Sequence, residues 1–144
     1  MKSKSLAGLT IATLFTTALV GCEGMAIPKA HGQSTLTLSA TYQFRSQGFL
    51  SSGQPFFECG FAYFFPDGTK CVESTMHALN QPARSINTCQ AGNRGTYSCS
   101  GNVCTGTSND VDSSVMYISS DQAVIEIVGT DGNGTTWQAE LHKQ

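Results

Sequence analysis

The chain has 144 residues, 40% of them hydrophobic and 12% charged, with a formal net charge of −2. Eight Lys and Arg against ten Asp and Glu leave no basic surplus for nucleic acid. The apolar content is too high for a wholly disordered chain. Sixteen Ser, sixteen Thr and fifteen Gly exclude a helical bundle or coiled coil and favour short strands joined by many turns.

The first element is an address. Residues 1–5, MKSKS, place Lys2 and Lys4 ahead of an uncharged apolar stretch, residues 6–20. A bilayer span needs about 20 apolar residues, so this shorter stretch reads as the core of a secretory signal. It ends in Leu19-Val20-Gly21-Cys22. An aliphatic residue, a small one and Gly before a Cys resemble the lipobox of bacterial lipoproteins. The resemblance covers residues 1–22 and defines a sorting class, not a fold. It implies that the Cys22 thiol takes a diacylglyceryl group as a thioether and that cleavage precedes Cys22. It also implies lipid anchoring to the cell envelope. Glu23, where an Asp would favour inner-membrane retention, implies passage to the outer membrane of a Gram-negative cell. Each buried CH₂ adds about 0.8 kcal/mol, so two or three acyl chains anchor stably where one does not. The alternative is an ordinary signal cut after Ala30-His31-Gly32.

Residues 22–33 then read as the lipidated Cys and a flexible tether, and residues 34–144 as a single β domain. His31 lies in the tether. From Ser34 apolar residues alternate strictly: Leu36, Leu38, Ala40, Tyr42 and Phe44 predict a half-buried strand. Residues 46–55 read as a loop. Residues 56–65, FFECGFAYFF, are apolar on both faces and predict an interior strand covered on each side. Pro66-Asp67-Gly68 is a turn, and residues 69–74 return as the hairpin partner. Residues 73–79 predict a single helical turn ended by Pro82. Short strands follow at 84–90, 95–99 and 103–107. Val115–Ser119, Ala123–Thr130 and Thr135–His142 predict an antiparallel meander. The expected fold is all-β: a small, disulfide-stapled antiparallel β-sandwich, with a small β-barrel as the alternative.

With Cys22 lipidated, five cysteines remain: Cys59, Cys71, Cys89, Cys99 and Cys104. An exported chain would pair most of them, leaving one over. Cys99 and Cys104 could staple a tight loop. Sequence does not fix the pairing, although a hairpin about Asp67-Gly68 sets Cys71 opposite a residue near Phe64 rather than Cys59. The spacings lack a zinc knuckle, so no metal is expected.

Candidate chemistry is sparse. Glu73 and His77 would share a helix face as an acid–base pair, yet solvated surface is the simpler reading. Asp110-x-Asp112-x-Ser114 and Asp131-x-Asn133-x-Thr135 space oxygens as calcium loops do, without the distal Glu. Phe56, Phe57, Tyr63 and Trp137 are aromatic candidates for sugar or protein contact, with core packing the simpler role. Glu126 alternates with buried strand positions and is the acid to watch, should a second carboxylate lie about 5–10 Å away across a cleft.

These observations predict no catalytic residue, no cofactor and no nucleic-acid partner. The expected function is a non-enzymatic envelope lipoprotein, displaying a β domain that binds an envelope protein or glycan or supports the surface. An inhibitor or ligand binder, like the small periplasmic lipoproteins acting on lysozyme, is the alternative by analogy. A peptidoglycan-acting enzyme is the third reading.

Overall fold

The computed structural model describes residues 35–90, 92–108 and 112–144. The expected signal segment, Cys22, the expected tether with His31, and Asp110 lie outside the described residues. Among those described there is no helix and there are nine strands. These are β1 (Ala40–Phe49), β2 (Pro55–Phe64), β3 (Thr69–Ala78), β4 (Arg84–Asn87) and β5 (Gly95–Ser100), then β6 (Val103–Ser108), β7 (Asp112–Ile118), β8 (Val124–Asp131) and β9 (Thr136–Lys143).

The strands run β2-β1-β9-β8-β7-β6-β5-β3-β4 across one sheet, and β2 also pairs with β3. That last ladder joins the ends of the sheet. Eight strands form a closed antiparallel barrel, and β4 is an extra strand on the edge of β3. The fold is therefore the barrel and not the expected sandwich. A sandwich keeps two separate sheets with free edges. Here β1 bonds β2 on one side and β9 on the other, so the first and last strands seal each other.

Closure is tightest at one end. β3 meets β5 only at Thr69–Thr96 and Lys70–Gly95. From Glu73 onward its edge is taken by β4. The Cys71–Cys89 disulfide ties β3 to the segment after β4. Thr88 reinforces the tie: its N–H donates to Val72 O, and its hydroxyl accepts from Val72 N–H, both at 2.9 Å. Cys99–Cys104 bridges directly opposed residues of β5 and β6. Cys59 is the described cysteine outside a disulfide, and it is exposed. Cys71 faces Tyr63 across the hairpin, while Cys59 faces Thr75.

Several local expectations need correction. Strand β1 continues to Phe49 and β2 starts at Pro55, so the predicted loop 46–55 shrinks to a tight turn closed by Gly53 N–H to Leu50 O at 2.8 Å. Residues 73–79 are not helical: 73–78 belong to β3, whose ladder with β2 extends to Ala78, and Leu79 is in the turn that follows. The outer face of β2 is not covered: Phe57 is 56% and Phe61 41% exposed. In a barrel only the inner face of each strand is enclosed. The alternation that begins at Leu36 is real, but the ladder starts at Ala40. Before that, the backbone of Leu38 is satisfied by a side chain: Tyr97 Oη accepts from Leu38 N–H at 3.0 Å and lies 2.8 Å from Leu38 O.

The packed core sits at this end. Leu38, Tyr42, Phe64, Tyr97, Met116, Ile118, Ile125 and Leu141 are all buried. Phe64 makes edge-on ring contacts with both Tyr42 and Tyr97, with centroids 5.6 and 5.4 Å apart. The phenols still find partners. Tyr42 Oη donates to Gln122 O at 2.9 Å, and Tyr97 Oη is also 2.8 Å from Phe65 O. Burial pushes both phenols above their ordinary pKa.

Candidate functional site: the open end of the barrel

Inward positions continue past the core, but their side chains stop filling the interior. The β1–β2 and β1–β9 registers set Phe56, Gly48 and Trp137 side by side, and Gly129 is next on β8. One step deeper lie Glu58, Ser46, Ala139 and Ile127. Small residues therefore alternate with large ones around the wall. A cavity of about 740 Å³ results, floored by Phe44, Phe64 and Leu141. Met76 from β3 and Arg84 and Ile86 from β4 complete its side, and Asp131 and Asn133 stand at its lip.

Two glycines make room for side chains that line this space. A Cβ at Gly129 would lie 2.3 Å from Trp137 Cζ2, so the indole rests where that side chain would be. A Cβ at Gly106 would lie 2.9 Å from Lys70 Cε, so the lysine stem crosses β6 there. The wall also carries polar groups. Ser46 is buried, and Ser74 Oγ donates to Glu58 Oε1. Mostly apolar walls with a few placed polar groups are the usual make-up of a small-molecule site.

The other sequence candidates fall elsewhere. Glu73 and His77 are both on the outer face of β3, four residues apart, which is about 13 Å on a strand. Glu73 accepts from Tyr63 Oη and Asn87 Nδ2, each at 3.2 Å. His77 stacks on Phe57 with centroids 4.7 Å apart. The acid–base pair is thus split. Asp131 is engaged by its own hairpin: Oδ1 accepts from Asn133 N–H at 2.9 Å and Thr135 N–H at 2.8 Å. Hydrogen bonds from Thr135 hold its carboxyl below the usual carboxylate range. Ser114 is buried, with its hydroxyl 3.3 Å from Gly106 O.

Of the four aromatic candidates, Phe56 and Trp137 face the cavity, whereas Phe57 and Tyr63 face outward. Glu126 is exposed on the outer wall, directly across the β8–β9 ladder from Glu140. The two carboxylates line an outer furrow of about 750 Å³ with Arg45, and His142 Nε2 lies 2.6 Å from Glu140 Oε1. Sequence reasoning did not find Ser46, Glu58 or Gly129. Their common signal is an inward strand position occupied by a small or polar residue, and it becomes visible only once the register is known.

No family model matches the chain, and no curated protein does. Among solved structures, the chain is similar to a de novo designed fluorescence-activating β-barrel. The identity is 13% and the TM-score 0.44, over 74% of this chain and 94% of the designed one.

Proposed function

We propose that the chain is a non-enzymatic envelope lipoprotein, anchored through lipid on Cys22, whose barrel binds a small molecule in its open end. The observation that carries the binding reading is the asymmetry of the interior. One end is packed by Leu38, Tyr42, Phe64 and Tyr97, and the other leaves about 740 Å³. Eight-stranded barrels either fill their interior with side chains or hold one small ligand. Ligand cavities commonly measure about 300–1,000 Å³. The Leu19-Val20-Gly21-Cys22 motif supports the anchor and the outer-membrane destination.

A protein or glycan partner would use the outer wall instead, where Phe57, Phe61 and Tyr117 are exposed. One experiment separates these readings. The mature chain is incubated with an organic extract of its own envelope, re-isolated and weighed by native mass spectrometry. A small added mass that is lost in Ala139→Phe, which fills the cavity, supports the proposal. An added mass retained in Ala139→Phe but lost in Phe57→Ser moves the site to the outer wall. Peptidoglycan clearing by the purified protein that disappears in Glu126→Gln would make it an enzyme. For the anchor, a clickable palmitate analogue should label the wild type and not Cys22→Ser.

A further inference from the structure

We propose, resting on the small-ligand reading above, that the open end selects a flat fused-ring molecule bearing a hydrogen-bond donor, and not an extended acyl chain.

The walls define a slot. Phe56 and Trp137 are the two ladder neighbours of Gly48, one on each side. Their backbones are therefore two strand spacings apart, about 9.5 Å. No side chain can close the gap from between them. A Cβ at Gly48 would lie 2.0 Å from Thr136 O and 2.8 Å from Trp137 Cα, so the approach of β1 to β9 requires glycine there. The indole does not close the gap either, because it rests over Gly129 on the side away from Phe56. Two ring-bearing walls with a permanent opening between them suit the faces of a planar guest, since offset stacking places ring centroids about 4.5–7 Å apart.

Depth argues in the same direction. From Gly48 and Trp137 at the mouth to Phe44 and Leu141 at the floor is four residues. That is about 13 Å of strand, or about 10 Å along the barrel axis at a tilt of about 40°. An acyl chain filling one leaflet is about 15 Å long, half of a hydrocarbon core of about 30 Å. The floor is closed by Phe44, Phe64 and Leu141, so a long chain would leave its far end in water. The cavity below the mouth is short.

The polar groups sit where a ring's edge would arrive. Ser46 and Glu58 are cross-strand neighbours one step below Gly48 and Phe56. The Ser46 hydroxyl is in reach of a guest that has passed the two rings, whereas the Glu58 carboxylate already accepts from Ser74 Oγ. A hydroxyl or amino group on the leading edge of the ring system gains a partner there; a bare hydrocarbon edge desolvates the serine hydroxyl without replacing its bonds to water.

The test is calorimetric titration of the mature chain in phospholipid nanodiscs, with empty nanodiscs subtracted. The probes are 2-naphthol, naphthalene and palmitate. We expect one saturable site for 2-naphthol, weaker binding of naphthalene and no saturable site for palmitate. Ser46→Ala removes the hydroxyl oxygen and adds no bulk to the cavity. It should weaken 2-naphthol at least fivefold and leave naphthalene unchanged. Phe56→Ala should weaken both, and the outward Gln138→Ala neither. A saturable palmitate site with none for 2-naphthol overturns the ring inference and keeps the small-ligand reading. Equal 2-naphthol affinity in wild type and Ser46→Ala overturns the donor half of the inference. A saturable site for none of the three overturns both readings.

Discussion

The indole of Trp137 lies against Gly129, with Cζ2 2.3 Å from the point that a Cβ on that glycine would occupy. The two residues are directly opposed across the β8–β9 ladder. The missing side chain is thus what lets the chain's single Trp lie along the wall instead of projecting into the cavity.

Gly129→Ala should therefore act on the site more than on the fold. The methyl group displaces the indole, and overpacking of this kind costs about 1–3 kcal/mol. The expected outcome is a shifted Trp137 emission maximum and at least a tenfold loss of ligand affinity, with near-native circular dichroism. Unchanged emission and affinity would show that the indole does not depend on this glycine.

Tyr97→Phe should loosen the packed end. One hydroxyl serves Leu38 N–H and lies within 2.8 Å of both Leu38 O and Phe65 O. Its loss leaves buried backbone groups unsatisfied, at about 1–3 kcal/mol. Urea unfolding should show a destabilisation of that size. Hydrogen exchange at the Leu38 amide should accelerate by more than the global change explains.

The two disulfides should differ in value. Cys71–Cys89 closes 18 residues and Cys99–Cys104 closes 5. On chain entropy the first contributes about 3 kcal/mol and the second about 2. The paired Ser variants, compared by denaturation midpoint, should fall in that order. Loss of the first should also free β4, raising protease sensitivity between Arg84 and Thr88.

Acid should weaken the hairpins. Asp67, Asp121 and Asp131 each accept hydrogen bonds within their own turns. Bonds from Thr69, Ser119 and Thr135 respectively hold these carboxyls below the ordinary range. A carboxyl with a depressed folded pKa stabilises the fold above its unfolded pKa, and that contribution is lost as pH falls through the folded pKa. The melting temperature should therefore drop below about pH 4. Asn at all three positions keeps an acceptor oxygen but cannot titrate, so the drop should become shallower.

Much of the fold was legible because strand alternation and turn chemistry are local. The C-terminal meander was placed to within a few residues, and Pro66-Asp67-Gly68 does turn the chain, with Gly68 at φ 82°. What sequence could not show is closure. The inward alternation of Tyr42, Phe44 and Ser46 is the same whether β1 ends a sheet or meets β9 about 95 residues later. Residues 73–79 misled because Met76 and Leu79, three apart, match a helical spacing; in the structure Met76 faces inward from β3, while Leu79 is exposed just past its end. The cavity was illegible for a related reason. Gly48, Gly129 and Ala139 look like weak strand residues until the register sets them around Phe56 and Trp137.

The most direct measurement is a ¹⁵N–¹H correlation spectrum of the chain titrated to saturation with 2-naphthol. If the open end is the binding site, shifts concentrate at Ser46, Gly48, Phe56, Gly129, Trp137 and the Trp137 indole N–H. The outward neighbours Phe57, Phe61 and Val128 stay in place. Shifts confined to those outward residues, with the inward set unmoved, would put the ligand on the outer wall and contradict a barrel built to hold it.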